Sequence, residues 1–311
     1  MPLALGVHVG QQNMSMDEMR ALWRKLDAAK VDWISAWDHF YEAPPAGGTI
    51  DHFEAMATLG ALAAETSHAR LGCLVFYVGY RNPASLAKAA ATLDHISGGR
   101  FELGLGAGWH EQEAKAYGYD FPSVGTRLDM LDEAATIIRS LLTQERTTFH
   151  GKHFRCQDAS NVPAPVQKRL PIWIGGLGEK KTLRLVAKHA DGWNAAYTSV
   201  EHFTHLGKVL DQWCEKRDRD PATLKRSINL TFNLGTSAAE VEKEREKLRA
   251  TWGPVAERIE GGALLCTPNE AVDRIKAYEE AGADMVNVAL RAPWNQDALD
   301  AYIEEVMPKL R

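Results

Sequence analysis

Cysteine is scarce in this chain. Cys73, Cys156, Cys214 and Cys266 stand far apart, never form CxxC, and fall mostly in or beside apolar runs. That usage excludes a disulfide framework and reads as reduced packing residues in a cytosolic protein. Long apolar runs are missing too: no segment approaches the roughly 20 residues required to span a bilayer. The stretch Met1 to Gly10 lacks the basic flank and apolar length of a signal peptide, so the expected location is the cytoplasm. There is no excess of positive charge: 36 Lys and Arg against 41 Asp and Glu give a net charge of −5. A nucleic-acid binder needs a broad basic surface to replace counterions, and none is available here, although a small anionic ligand needs only a local patch. No fixed-period repeat or low-complexity linker marks a domain boundary, so residues 1–311 read as one unit.

What is present is alternation. Short β-type runs and amphipathic helical segments follow one another almost throughout, the pattern of repeated βαβ units and a parallel sheet. Leu3 to Val9 is the first strand. Ser15-Met16-Asp17-Glu18 then makes a capping box that opens a helix burying Met19, Leu22, Trp23 and Leu26. Trp33 to Trp37 is the second strand, and Phe53, Met56, Leu59 and Leu62 form the stripe of its helix. Arg70 to Val78 is the third, followed by Asn82-Pro83 as N-cap and first helical residue, then Leu86, Leu93 and Ile96, with Ser97-Gly98-Gly99 as the stop. Phe101 to Gly106, Pro171 to Gly175, Gly192 to Ala196, Ile228 to Leu234 and Met285 to Leu290 complete eight strands. The predicted architecture is an α/β fold, a (β/α)8 TIM barrel. Residues 143–170, with a hairpin around His150-Gly151, read as an insertion on the C-terminal face. Residues from Ala238 to Asn269 read as an elaborated seventh crossover.

In such a barrel the chemistry sits where strands end. Asp38 and His39 follow the second strand. Neighbours on extended backbone point to opposite sides, so one of them aims at a ligand. His39 is the candidate acid/base, because an imidazole can give or take a proton near neutral pH; the alternative is that Asp38 caps the loop and His39 packs. Gly175-Gly176-Leu177-Gly178 runs into a helix start near Lys180 and Lys181. Bare amides and the helix dipole there suit a phosphate, the alternative being a tight βα turn. Gly104-Leu105-Gly106-Ala107-Gly108-Trp109 is not a dinucleotide fingerprint, since GxGxGW replaces GxGxxG. Small residues there let a flat ring approach the backbone with Trp109 as a wall, or else simply turn a strand corner. Glu111, Gln112 and Glu113 are candidates for polar contacts or ordinary helix-start residues. His150, His153 and Cys156 have workable zinc spacing but too few ligands to support a metal site, and neither HExxH nor GxSxG occurs.

These residues carry a resemblance. Trp37-Asp38-His39-Phe40, Leu71-Gly72-Cys73-Leu74-Val75, Tyr80-Arg81-Asn82-Pro83, Asp94 to Phe101, Gly106-Ala107-Gly108-Trp109, Pro171 to Gly176 and Ala190-Asp191-Gly192-Trp193-Asn194 resemble, in order, the luciferase-like monooxygenase superfamily. Within it the likeness is to the coenzyme F420-dependent oxidoreductase branch. The resemblance runs from about Gly6 to Pro308. It implies a barrel with a C-terminal-face insertion and a non-proline cis peptide at Leu74–Val75 that forms a bulge behind the cofactor ring. It places His39 beside the reactive ring edge and Asp38 near the cofactor. Gly175, Gly176, Leu177 and Gly178 would hold the side-chain phosphate, and Lys180 or Lys181 would screen its acidic tail. One departure matters: the family's sugar-phosphate dehydrogenases carry an acid where Trp109 stands, so the proton-donor role assigned there is missing.

The resemblance therefore implies hydride transfer between F420 and a small organic substrate, with His39 handling the accompanying proton. Two other readings stay open. One is an FMN-dependent monooxygenase using O2 and flavin reduced by a separate reductase; the other is a non-catalytic F420-binding barrel. A homodimer is expected by family analogy alone.

Overall fold

Local signals act where the sequence puts them. The Ser15 hydroxyl accepts the Glu18 N–H while the Glu18 carboxylate accepts the Ser15 N–H, a reciprocal cap on the first helix. Asn82 caps the third helix, with Pro83 at its first position. Gly98 and Gly99 follow its end at φ of 65° and 86°, a left-handed conformation that glycine adopts without Cβ strain.

The computed structural model describes residues 2–43 and 47–311. In chain order it contains β1 (Ala4–Val9), α1 (Met16–Ala28), β2 (Trp33–Ala36), α2 (Ala55–Glu65), β3 (Arg70–Tyr77), α3 (Pro83–Ile96), β4 (Phe101–Gly106), α4 (Glu111–Ala116) and α5 (Val124–Thr143). A hairpin of β5 (Thr147–His150) and β6 (Arg155–Ala159) follows, then β7 (Ile172–Gly175), α6 (Thr182–His189), β8 (Gly192–Ala196), α7 (Val200–Glu215) and β9 (Lys225–Phe232). The remainder is α8 (Ala238–Trp252), α9 (Ala256–Gly261), β10 (Ala263–Leu264), α10 (Pro268–Glu280), β11 (Met285–Leu290) and α11 (Gln296–Ala301).

Eight strands, β1, β2, β3, β4, β7, β8, β9 and β11, pair in parallel, and β11 returns to β1 in register from Ala4↔Met285 to Val9↔Leu290. The fold is a closed (β/α)8 TIM barrel. Strand residues such as Leu5, Val7, Leu103 and Ile174 are fully buried in the large apolar cluster shared with the helices. A smaller cluster holds Trp33, Leu74, Trp173 and Met285, and within it the Trp33 and Trp173 rings meet edge to face at 5.0 Å. Gly192 makes room for one of them, because a Cβ there would sit 2.3 Å from the Trp173 ring. Above this layer Asn194 donates to Ser227 and Asn229, and Asn287 donates to Asn229, so the polar layer of the interior is cross-linked.

Three expectations shift. Residues 143–170 do form the hairpin, but not over the C-terminal face. Glu133 on α5 accepts the N–H groups of Lys152, His153 and Phe154, and Gln167 donates to Asp94 and to the carbonyl of Phe101, the first residue of β4. The segment therefore flanks α5 and returns to the strand-start end. A chain leaving a crossover helix for the next strand has to do so. The elaboration of the C-terminal face is instead the crossover after β9, which carries α8 and α9. On α2 the helix starts at Ala55, capped by Glu54, so Phe53 precedes it and the buried face runs through Thr58, Leu59 and Leu62. Ile96, the last residue of α3, is exposed rather than packed.

Candidate active site

A cavity of about 900 Å³ opens at the strand-end face, lined by residues following β2, β3, β4, β7, β8, β9 and β11. Asp38, His39, Leu74, Val75, Gly106, Ala107, Trp109, Gly175, Gly176 and Leu177 all line it, so the corners at 38–39 and 175–177 face one space. Gly178 lies just behind, against Thr182. Gln112 does not reach the cavity: helix phase leaves it exposed on α4 and turns its neighbour Glu113 inward.

The floor is made by β3. The Leu74–Val75 peptide is cis, and the β3–β4 register shifts between Cys73 and Phe76, so the strand bulges there. The Val75 side chain fills space that two glycines leave open. A Cβ at Gly106 would lie 2.4 Å from one Val75 methyl, and one at Gly175 would lie 2.9 Å from the other. The result is an apolar shelf of Leu74, Val75, Gly106, Ala107 and Gly175, without a charged side chain.

Two acids anchor the wall beside it. Glu113 is buried, and its carboxylate receives His39 Nδ1 at 2.6 Å, the N–H groups of Phe40 and Tyr41 at 3.0 and 3.1 Å, and the Tyr80 hydroxyl at 2.9 Å. Burial alone would raise this carboxyl's pKa; the His39 hydrogen bond and charge and the two backbone donors outweigh it and hold it below the usual range. An ionised acceptor fixes the proton of His39 on Nδ1 and leaves Nε2 without a partner among the described residues. The His39 ring also meets Trp109 edge to face at 5.2 Å.

Asp38 is the second acid. Its Oδ2 accepts the Tyr77 N–H at 3.1 Å and Arg81 Nη1 at 2.6 Å, while Oδ1 is buried with no partner. Burial raises its pKa and prevails over the pull of Arg81. His8 lines the cavity beneath, its Nδ1 at 2.8 Å from the Ser35 hydroxyl; burial first, then the charge of Arg291, lowers its pKa to about 3, so it is neutral. His110 is lowered as well, chiefly by burial.

At the far side Gly176 adopts φ of 133°, and α6 begins at Thr182 without a side-chain cap on its first amides. The roof is Trp252, Gly253, Pro254 and Arg258, from the ends of α8 and α9, and Arg291 follows β11. Sequence reasoning offered Glu113 only as one of three candidates for polar contacts, beside Glu111 and Gln112, and did not assign Arg291 or this roof to the site. Among the described residues no group of three His, Cys, Asp or Glu side chains is arranged to hold a metal ion, and no helix is long and apolar enough to cross a membrane.

The luciferase-like monooxygenase family matches residues 1–256. An uncharacterized protein of Mycobacterium tuberculosis is 38% identical over 156 residues, 50% of this chain; the match spans about half, 54%, of that relative's length. An F420-dependent glucose-6-phosphate dehydrogenase of Microbacterium testaceum is 28% identical over 342 aligned positions, covering 100% of this chain and 98% of that protein. Among solved structures, an F420-dependent secondary alcohol dehydrogenase in complex with an F420–acetone adduct superposes with a TM-score of 0.87 at 20% identity, covering 100% of both chains. A long-chain alkane monooxygenase gives 0.81 at 16% identity, covering 100% of this chain and 91% of the other. At those identities the likeness to the solved structures is one of fold.

Proposed function

Since this chain belongs to the luciferase-like monooxygenase family, we propose that it is an oxidoreductase that uses coenzyme F420 to exchange a hydride with a small organic substrate. The observation that carries the reading is the single cavity joining the His39–Glu113 pair to an uncharged bulged shelf and to an uncapped helix start. Its residues fit a flat, anionic-tailed cofactor. Leu74, Val75, Gly106 and Ala107 would support the ring and Trp109 would flank it. The buried, partnerless Oδ1 of Asp38 is available to its polar edge. Gly175, Gly176, Leu177 and Gly178 with the Thr182 and Arg184 amides of α6 would hold its phosphate, the Leu183 N–H being donated to the Gly178 carbonyl, and Lys180 or Lys181 would screen the tail beyond.

When bound, a deazaflavin supplies a carbon that gives or accepts hydride and reacts poorly with oxygen. The chain's own part is position and proton control. Glu113 keeps the His39 imidazole aimed with Nε2 toward the cavity, where it gives or takes the proton that accompanies hydride movement. Alignment against a fixed shelf contributes several kcal/mol by orientation alone. Relatives named F420-dependent glucose-6-phosphate dehydrogenase match this chain along its length at 25–28% identity, which supports F420. Trp109 stands where the resemblance implies an acid in the sugar-phosphate dehydrogenases, which argues against a sugar phosphate as substrate.

Separate titrations with F420 and with FMN test the cofactor. F420 should bind at least about tenfold tighter, a difference of about 1.4 kcal/mol. Tighter binding of FMN would favour the oxygen-using alternative. Binding of F420 with no turnover across a broad carbonyl and alcohol screen would favour a non-catalytic barrel.

A further inference from the structure

Each acid of the cavity has a basic partner; two of its arginines have no acid. Asp38 is tied to Arg81 and Glu113 to His39. Arg291 and Arg258 line the same cavity, yet among the described residues neither forms an ion pair. The contrast within the roof is sharp. Arg245 and Arg249, on α8, both pair with Glu260. Arg258, two positions before that glutamate, forms no ion pair among the described residues.

Arg291 is held as a recognition group is held. Its Nε donates to the Ala43 carbonyl at 3.0 Å and its Nη2 to the Tyr197 hydroxyl at 2.7 Å, while Nη1 donates to no described residue. The rings of Trp37, Tyr197 and Trp252 each lie with centroids 5.1 Å from the guanidinium carbon. The Nη1 end of the fork, with the second proton of Nη2, is left open, and such an edge receives a planar carboxylate through two parallel hydrogen bonds. A guanidinium stays charged at any working pH, and its field already reaches into the cavity, where it helps keep His8 neutral. Arg291 also lies away from the proposed phosphate loop: in the closed order, β8 and β9 stand between β7 and β11.

We propose that the substrate is a carboxylate with an apolar or aromatic body. Arg291 takes the carboxylate edge-on, Trp37, Tyr197 and Trp252 flank the body, and Arg258 adds charge at the roof. This deepens the F420 reading and rests on it, because it assigns the shelf to the cofactor and the Arg291 side to the substrate.

Calorimetric titration of the protein loaded with F420 tests it, using benzoate and the isosteric neutral benzamide as probes. Benzoate should bind at least about tenfold tighter, with a preference that shrinks as salt rises. In Arg291→Gln the preference should fall to about twofold or less, with the F420 affinity unchanged. Arg291→Lys, which keeps the charge but loses the fork, should retain only part of it. Equal binding of the two probes by the unaltered protein overturns the proposal without need of a variant, as does a preference that survives Arg291→Gln. Competition between benzoate and F420, or an F420 affinity that falls tenfold or more in Arg291→Gln, would assign the cation to the cofactor's tail and overturn it as well. Failure of the unaltered protein to bind F420 at all would instead remove the reading beneath it.

Discussion

The two ends of the barrel treat buried charge in opposite ways. At the strand-start end Glu102 is held by Arg70 and by the Trp173 indole N–H. Asp191 there is held by Arg139, Arg169 and the Ile172 N–H, and Asp94 by two amides of Gln167. At the mouth the Oδ1 of Asp38 and the Nε2 of His110 are buried without partners, and Arg291 and Arg258 lack carboxylates. An unmade buried hydrogen bond costs about 1–3 kcal/mol; Trp33 Nε1 and the Tyr302 hydroxyl lack partners outside the mouth as well, so the contrast between the ends lies in their charged groups. The lower end closes the barrel; the upper end keeps capacity for a ligand.

That contrast is broken most forcefully at His39. His39→Ala should lower the rate of hydride transfer by about 10²- to 10⁴-fold, the usual contribution of a positioned acid/base, with little change in F420 affinity and a loss of about 1–3 kcal/mol of stability from the partner taken from buried Glu113. Glu113→Gln keeps an acceptor for Nδ1 but removes the charge, and should lower the rate by about tenfold. Because Glu113 is a positioning residue acting through His39, the double variant should be no slower than His39→Ala alone. Rate losses that multiply would show the two acting independently.

Acid should also find the mouth first. Burial lowers His8 from 6.5 to about 3, and burial with the charge of His39 lowers His52 to about 4. A histidine with a depressed folded pKa takes its proton only on unfolding, so the stability it permits is complete above pH 6.5 and is lost as pH falls toward the folded value. For His8 alone the loss between pH 6.5 and 4.5 is about 2–3 kcal/mol. His8→Asn, which can keep the bond to Ser35, should flatten the decline of melting temperature over that window. An unchanged slope would mean that His8 titrates normally.

How much of this was legible beforehand depended on whether the cause was local. The caps at Ser15 and Asn82 and the stop at Gly98-Gly99 are decided within four residues, and each stands as read. The barrel followed from eight strand signals, and the cis peptide at Leu74–Val75 from resemblance. Glu113 could not be separated from Glu111 and Gln112, because only the docking of residues 39–41 and Tyr80 turns one of the three inward. Arg291 had no motif. Its meaning lies in three rings contributed by distant segments. The hairpin after α5 was misplaced by periodicity, which carries no sense of which barrel end a loop occupies, although connectivity does.

The smallest effect should come from the lower end, and its smallness is informative. Glu102 is buried, but its partner Arg70 is 39% exposed at the side chain, so water screens the pair and the charge contributes little. Glu102→Gln leaves an oxygen for the Trp173 N–H but sets an NH2 where the second oxygen accepts from Arg70, so the ionic share and that one hydrogen bond are lost. The expected cost is about 1 kcal/mol, or roughly 2 °C in a chain of this size. F420 affinity and turnover should be unchanged, because neither Glu102 nor the Trp33 and Trp173 rings beneath Leu74 line the cavity. If Glu102→Gln instead impaired cofactor binding as well as stability, the layer would be transmitting strain to the bulge at Leu74–Val75, and the division of labour between the two ends would fail at the strand they share.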